Sequence, residues 1–461
     1  MNEKIKTADK SDFSKGSVSG AIMRLALPMA FAQLVNVLYT VISKIYLGNL
    51  PGAMHLALSG VGVTLPIIFL ITSVSALCGT GGGPLFAISR GKGDDKEAEH
   101  IMGNCFTMLV SFGLIMTAIV LVFRTPLLFL FGASEYTYEF AKEYLTIYSL
   151  GSVFVMIGMG MNTFINAQGY GRTAMLTTMI GAVINLILEP IFIFVFDMGV
   201  AGAALSTVVA QLCSSIWVLW FLTRKSILRI KLSCMKLQAQ RVKKILSLGL
   251  SGFIMMLTNT LSIMIANVML QRHGGDMFVG IMAIINALRE IISMPLFGME
   301  RGASPVISFN YGAKLYDRVR AAIRFKLKLA VIYAVCATAI IILIPGLLIR
   351  VFNSDPELIA AGIPALRIYY GLFIFMVLQM TSQQIFVGLG KTKFAIIFSL
   401  LRKAFLVAPL TIILPELGLG TYGVFIAEAI SQLVGGLACF LTMYFVVYRR
   451  LKKQKNEMEN L

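Results

Sequence analysis

Two polar residues one helical turn apart, Asn185 and Glu189, interrupt an otherwise apolar stretch of the sequence. A spacing of four residues puts both side chains on one face of a helix. Pro190 follows directly, and because proline has no N–H, the carbonyl of Leu186 loses its helical partner. A carboxylate, an amide and a free carbonyl oxygen then lie within one turn, and such oxygen ligands suit a proton or Na⁺.

Glu189 lies inside an apolar run, 175–196, that is long enough to cross a membrane. An ionised carboxylate at the centre of a bilayer costs at least a few kcal/mol, so it requires a proton, a metal ion or a basic partner. We therefore predict that Glu189 changes its charge state as it gains access to either side. The alternative is a polar residue near a helix end that Asn185 alone satisfies.

Two charged pairs flank Pro295 in a later apolar stretch, Arg289-Glu290 and Glu300-Arg301. Eleven residues are close to three helical turns, which puts the two pairs on one face about 16 Å apart. Charges at this depth must face a cleft or a buried partner. Two interpretations remain open: Arg301 or Glu300 recognises the charge of a substrate, or the residues form a static ion pair.

Several other polar residues within apolar stretches are candidates for lining a substrate cavity, although hydrogen bonding between helices is their usual role. They are Gln33, Tyr39, Asn259, Gln379, Gln383, Arg402 and Lys403. Glu428, near the start of the last apolar stretch, is expected to be solvated.

The composition requires a membrane environment for these residues. Of the 461 residues, 57% are hydrophobic and 13% are charged, about half the charged fraction of a soluble domain (roughly 25%). Apolar runs long enough to cross a bilayer recur along the chain, which predicts an all-α integral membrane protein without an alternating β-barrel pattern. The predicted spans are 20–47, 55–88, 100–122, 138–166, 173–196, 200–223, 243–270, 276–308, 321–343, 359–386, 394–414 and 421–447.

The net charge of +18 is a topology signal and does not indicate nucleic-acid binding, because 30 of the 40 lysines and arginines fall in the termini and in alternate loops. The positive-inside rule then puts both termini in the cytoplasm of a multi-pass protein of the cell (inner or cytoplasmic) membrane. Contact with anionic membrane lipids is a secondary consequence.

The sequence offers little for catalysis or for a cofactor. The six cysteines form no C-x-x-C pair, and the three histidines, His55, His100 and His273, are scattered. The glycine run Gly79–Gly83 lacks the Gly-Lys-Ser/Thr ending of a phosphate loop. We therefore predict no catalytic residue, cofactor or bound metal beyond a coupling ion. A polytopic membrane enzyme is a remote alternative that would need a metal-spaced cluster.

The chain repeats itself. Gly81, Pro84 and Gly91 return at Gly302, Pro305 and Gly312, and Gly199, Gly202 and Gln211 return at Gly420, Gly423 and Gln432, always 221 residues later. The stretch Gly169–Thr173 matches Gly388–Thr392, and Pro190 matches Pro409, at an offset of 219. Six spans per copy is an even number, so the copies share one orientation and are related by a pseudo-twofold axis along the membrane normal.

This duplication predicts five regions: a cytoplasmic N-terminal segment over 1–19, a six-helix lobe over 20–223, a basic linker over 224–242, a second six-helix lobe over 243–447 and a cytoplasmic tail over 448–461. Two bundles that face each other across a cleft can rock to open it to alternate sides. Such an architecture is typical of a carrier. We expect the carrier to be a monomer with a small-molecule substrate.

Several motifs in register resemble the multidrug and toxic compound extrusion (MATE) family, bacterial branch. The motifs are 38–48 at the end of the first span, 89–93 after the second, 185–190 in the fifth, 199–207 in the sixth and 305–313 at the end of the eighth. The likeness covers about residues 18–447. A major facilitator carrier would be expected to show an Asp-Arg signature between its second and third spans, and 89–99 contains none.

The resemblance implies a twelve-helix exporter of amphipathic, often cationic compounds in exchange for H⁺ or Na⁺. It also implies a cation site in the N-terminal lobe at Asn185, Glu189 and Thr207, with Asn162 of the fourth span and Ser43 of the first. The family commonly has Asp at the positions of Ser43 and Glu189. A flippase for lipid-linked precursors or polysaccharides of the same superfamily is the alternative, kept open by Arg289, Arg301 and Arg402.

Overall fold

The structure is a computed structural model that describes residues 12–48 and 54–459, and all regular elements within those ranges are helical. This confirms the all-α prediction. Most of the predicted N-terminal segment 1–19 lies outside the described residues, as do the last two residues of the predicted tail.

Twelve helical segments, α1 to α12, correspond to the predicted spans. They are α1 Val18–Gly48, α2 Met54–Gly91, α3 Asp95–Leu130, α4 Glu135–Leu150 with Ser152–Ala167, α5 Gly171–Pro190 with Ile191–Val195, α6 Gly199–Trp220 with Phe221–Lys225, α7 239–274 and α8 276–312 (together Ala239–Gly312), α9 Tyr316–Leu343, α10 Pro356–Gly371 with Phe373–Gly388, α11 Thr392–Leu400 with Leu401–Val407, Ala408–Leu414 and Pro415–Leu419, and α12 Gly420–Thr442 with Met443–Tyr448. A short helix, Pro345–Arg350, joins α9 to α10, and α13 Arg449–Glu459 ends the described chain.

Bends and breaks in the helices account for twelve crossings. Eight helical segments are long and apolar enough to cross a membrane, and two bent pairs, α4 (54° bend) and α10 (43° bend), pass the same test together. Two of these ten segments, Ala239–Gly312 and Thr392–Glu457, are each long enough to cross twice. The first breaks at Gly275 (φ 63°) and the second at Gly418 and Gly420, whose positive φ angles suit glycine.

The two halves of the chain repeat with a constant offset of 221 residues. Both parts of α4 begin and end 221 residues before the matching parts of α10. Gly169 and Gly390 share a left-handed turn (φ 91° and 72°), and Gly199 and Gly420 share another (φ 53° in both). The offset of 219 inferred from sequence is therefore wrong, because it pairs Gly169 of the turn with a helical residue, Gly388.

The two bundles meet backbone to backbone through a reciprocal contact. A Cβ atom on Gly91 would overlap the carbonyl oxygen of Phe309, and a Cβ on Gly312 would overlap the carbonyl oxygen of Ile88. The offset of 221 relates Gly91 to Gly312 and Ile88 to Phe309, so each half presents the same patch to the other, as in an isologous interface. We call this contact the glycine closure.

The described residues form three apolar cores. One consists mainly of residues of the N-terminal half together with Ile245 of α7, and another of residues between Ala266 and Phe425. The third joins Phe13 and the start of α1 to helices of the C-terminal half. Sheltered apolar side chains of this kind stabilise a bundle through close packing even where lipid surrounds it.

The chain ahead of α1 docks on the opposite bundle. Phe13 is buried and packs edge-to-face on Phe309, with ring centroids 5.6 Å apart. The guanidinium of Arg318 donates to the carbonyl oxygens of Phe13 (2.9 Å), Lys15 (3.0 Å) and Gly16 (2.9 Å). These bonds hold the residues before the first N-terminal helix against the C-terminal half.

Candidate cation site between α1, α5 and α6

Glu189 is the centre of the candidate site. Its side chain is buried, with 1% of its surface exposed, although it belongs to a helix that spans the membrane. The hydroxyl of Ser43 on α1 donates to its Oε1 atom at 2.5 Å. A hydrogen bond of this length to a carboxylate is of the strong, charge-assisted kind.

Asn185 links the carboxylate to α6. With its amide oriented to satisfy its neighbours, Nδ2 donates to Oε2 of Glu189 at 2.9 Å. Its Oδ1 then accepts from the hydroxyl of Thr207 at 3.1 Å and from the backbone N–H of Thr207 at 3.2 Å. The structure thus brings together Ser43, Asn185, Glu189 and Thr207.

The proline at the end of α5 adds a backbone oxygen atom to this group of side chains. Pro190 ends the regular part of α5 and is followed by wider helical turns over Ile191–Val195. Because Pro190 has no N–H, the carbonyl of Leu186 has no main-chain donor four residues ahead. This carbonyl lies in the same turn as Asn185 and Glu189, so oxygen atoms of three kinds are concentrated at the end of α5.

No basic side chain in the described part of the chain neutralises Glu189. Within the described ranges, no lysine, arginine or histidine lies within 4.0 Å of its carboxylate, and its hydrogen-bond partners are the neutral groups of Ser43 and Asn185. An ionised carboxylate so placed is stabilised only by hydroxyl and amide dipoles. The arrangement is therefore suited to bind a proton or a small cation.

Asn162 stands apart from this cluster. Its Nδ2 donates to the backbone carbonyl of Ala174 at 3.1 Å, which ties α4 to α5. At the equivalent position in the other half, Nε2 of Gln383 donates to the carbonyl of Ala395, also at 3.1 Å. Both pairs are related by the offset of 221, so the two bundles share this bond between helices.

The charged pair Glu300-Arg301 splits between two environments. Arg301 faces α1. With the amide of Gln33 suitably oriented, its Oε1 atom accepts a hydrogen bond from the Arg301 guanidinium at 3.0 Å. The backbone carbonyl of Arg301 accepts from Asn166 of α4 at 2.6 Å. Glu300 is buried in the C-terminal bundle and interacts electrostatically with Lys326. Arg301 and its two partners therefore join the bundles, and Asn166 is a bridging residue that the sequence analysis did not identify.

The remaining cavity candidates lie mostly inside the bundles. Arg402 is buried and pairs with Glu428, and Lys403 lies 3.1 Å from the same carboxylate. Glu428 is therefore not solvated as the sequence suggested, because α11 brings two basic side chains onto it. Arg289 is half-buried and donates to the hydroxyl of Tyr369 at 3.2 Å. Tyr39 and Asn259 are half-buried on α1 and α7.

A duplicated twelve-helix bundle with a buried carboxylate is the architecture of a multi-pass membrane transporter. The family model described as MatE matches residues 28–191 and 252–413, one match in each half. The chain therefore belongs to the MatE family, which confirms the resemblance found in its motifs.

Curated relatives and solved structures agree with this assignment. The chain is 23% identical over 438 residues to the multidrug export protein MepA of Staphylococcus aureus, covering 94% of this chain and 95% of the relative. It is 26% identical over 449 residues to MepA of Staphylococcus haemolyticus, covering 95% and 94%. A structure of MATE in the bent conformation superposes with a TM-score of 0.90 at 23% identity, covering 96% and 98%. An outward-facing multidrug resistance MATE family transporter gives a TM-score of 0.89 at 23% identity, covering 96% and 98%.

Proposed function

We propose that this protein is a secondary active exporter of small amphipathic, mainly cationic compounds, driven by exchange with H⁺ or Na⁺. The observation that carries the proposal is Glu189, a buried carboxylate whose hydrogen-bond donors among the described residues are the neutral groups of Ser43 on α1 and Asn185 on α5. The relatives named for multidrug export support the substrate class.

Coupling follows from the two charge states of Glu189. When no cation is bound to the carboxylate, the Ser43 hydroxyl and the Asn185 amide stabilise its negative charge. When it binds H⁺ or Na⁺, the bundle loses its buried charge, and Ser43, Thr207 and the Leu186 carbonyl supply further oxygen ligands. The bound cation favours one orientation of the lobes and the substrate the other, and each shifts the equilibrium only by its differential affinity for the two states.

The glycine closure indicates which side is open. Gly91 and Gly312 adjoin loops rich in basic residues, which the positive-inside rule puts in the cytoplasm together with both termini. This tight packing supports a state that is closed at the cytoplasmic end, with the cleft between the proposed lobes 20–223 and 243–447 open to the outside. Substrate would then be released from this state and the coupling cation taken up.

The flippase alternative receives less support. It relied on three arginines in the cleft, and Arg402 is instead paired with Glu428 inside the C-terminal bundle. Arg301 remains at the junction of the bundles, where Gln33 accepts from its guanidinium. Arg289 lies about three helical turns away from Arg301 on α8, so the two arginines are too far apart to bind one multiply charged lipid headgroup together.

Reconstituted efflux tests the proposal. The full chain in liposomes should export a cationic dye when a pH or sodium gradient is imposed, and the effective gradient identifies the coupling ion. Glu189→Gln should abolish gradient-driven efflux while leaving the amount and thermal stability of the protein unchanged. Glu143→Gln, which alters an exposed carboxyl group of α4, is the matched control and should transport like the wild type. Gradient-driven efflux by Glu189→Gln would remove Glu189 from the mechanism.

A further inference from the structure

A second charged cluster lies within the C-terminal bundle, away from Glu189. Arg402 and Lys403 project from the wider helical turns of α11, Glu428 from α12 and Arg289 from α8. Arg402, Lys403 and Glu428 are all buried. Glu428 is bound by Arg402 and lies 3.1 Å from Nζ of Lys403.

The charges in this cluster do not balance. Three basic side chains, the buried Arg402 and Lys403 and the half-buried Arg289, lie around one carboxylate, Glu428, and no second acidic side chain of the described residues forms an ion pair with them. The cluster borders a cavity, and the other polar residues lining that cavity are uncharged: Ser262, Asn286, Tyr369 and Thr411. Buried charges are normally paired because the cost of removing them from water is several kcal/mol each. The excess therefore points to an anionic ligand.

The donors around the cavity are also incompletely used. Lys403 carries three N–H donors, and among the described residues its hydrogen-bond partner is Glu428 alone. Arg289 donates to Tyr369 and keeps further guanidinium donors at the cavity wall.

The surrounding backbone accommodates this cluster. A Cβ atom on Gly435 of α12 would lie 3.0–3.4 Å from the aliphatic carbons of Arg402, closer than most real side-chain contacts. Glycine at this position therefore makes room for the arginine stem. In the N-terminal half, Gly435 corresponds to Ser214 and Arg402 to Gly181. There the glycine lies on α5 and the larger residue on α6, the reverse of the C-terminal half.

The cavity is the counterpart of the Glu189 site under the internal repeat. The offset of 221 relates Glu428 to Thr207, which hydrogen-bonds to Asn185 at the cation site. The same offset relates Glu189 itself to Leu410, so the C-terminal copy lacks the acid. The basic residues Arg402 and Lys403 correspond instead to Gly181 and Ala182 of α5, so equivalent helices carry the charged groups at different positions.

We propose that the C-terminal bundle contains an anion site in which Arg289 and Lys403 bind a compact group of single negative charge, a carboxylate or a halide. The cavity has a volume of about 20 Å³, enough for one water-sized group and far too small for a whole drug molecule. Glu428 and Arg402 neutralise each other, and the anion pairs with the remaining basic groups.

Equilibrium binding tests the site directly. Purified full-length protein is titrated with radiolabelled acetate and, separately, with radiolabelled chloride, at an ionic strength held constant with a bulky sulfonate salt. We expect saturable binding to one site per chain. Lys403→Gln and Arg289→Gln should each weaken it about tenfold or more, since a hydrogen bond to a charged group is worth about 1.5–3 kcal/mol. Lys403→Arg should retain binding.

Lys326→Gln provides the matched control, because Lys326 is a buried lysine of the same bundle that does not line the cavity. It should bind the anions like the wild type. Absence of saturable binding of both anions to the wild type, or unchanged binding by Lys403→Gln, would overturn the proposal.

A pair of transported dyes identifies the source of the anion. A xanthene dye with a free carboxylate and its methyl ester are compared for binding to wild type and Lys403→Gln. Preference for the free acid that disappears in Lys403→Gln assigns the site to the substrate's carboxylate. Equal binding of both dyes, with saturable chloride binding, assigns it to a free ion. Glu189→Gln should lose coupled efflux and keep anion binding, so a failed export mechanism and a failed anion site give different results.

Discussion

Gly91→Ala should loosen the closed end of the transporter. The added Cβ would overlap the carbonyl oxygen of Phe309 and lie 2.9 Å from the backbone nitrogen of Ala313, where real Cβ contacts are essentially never shorter than 3.0 Å. Both obstructing atoms belong to the main chain, so no side-chain rotation relieves the clash. The helices α2 and α8 must move apart.

The expected shift follows from the cost of such overpacking, about 1–3 kcal/mol. This corresponds to a change of roughly 5–150-fold in the ratio of the two orientations. If the alternative orientation occupies about 1% of the wild type, a cost of about 2 kcal/mol raises it to about a quarter of the molecules. A population of that size is measurable.

Electron–electron distance measurements between spin labels at Lys92 and Lys314 report on this end. Both side chains are exposed on the loops that follow Gly91 and Gly312. Wild type should give mainly one short distance, and Gly91→Ala should add a longer one. Gly62→Ala is the control in the same helix, because a Cβ there meets nothing within 4 Å. Identical distance distributions for Gly91→Ala and Gly62→Ala would refute the role of the glycine closure.

Two further substitutions give separate predictions. Ser43→Ala removes the hydroxyl that donates to Glu189 at 2.5 Å, a bond worth about 1.5–3 kcal/mol. If H⁺ is the coupling ion, half-maximal efflux should need about tenfold less H⁺, because ionised Glu189 loses a hydrogen-bond donor. If Na⁺ is the coupling ion, half-maximal efflux should need about tenfold more Na⁺, because the cation loses an oxygen ligand. An unchanged ion dependence would contradict the contact. Arg318→Ala removes the bonds that hold the carbonyls of Phe13 and Lys15, so trypsin should cleave after Lys15 at least about tenfold faster, as followed by mass spectrometry. Equal cleavage rates would show that the segment is held by other contacts.

The twelve spans could be predicted because each is an apolar run whose length matches the bilayer. The cation site could be predicted in part, since a four-residue spacing puts Asn185 and Glu189 on one face whatever the tertiary packing. The partners from α1 and α6 came only from the family resemblance. No periodicity within α5 specifies which neighbouring helix supplies Ser43 or Thr207.

Side-chain direction at the other polar positions depends on how the helices pack. The sequence makes Arg402 a candidate for lining the cavity, yet α11 turns it onto Glu428, a residue expected to be solvated. The repeat itself predicts one of these contacts. With an offset of 221 throughout, Asn162 corresponds to Gln383, which indicates that both residues form the same hydrogen bond between helices. The mistaken offset of 219 came from matching glycines by identity without the turn geometry that Gly169 and Gly390 share.

The docking of the N-terminal segment also limits how the lobes can move. The carbonyl of Gly16 is fixed to Arg318 of the C-terminal half, and α1 begins only two residues later, at Val18. Two extended residues reach about 7 Å. While that hydrogen bond holds, the start of α1 stays within this distance of the C-terminal half. The two lobes therefore separate least near Gly16, and any rocking motion separates them most at the opposite edge of the molecule.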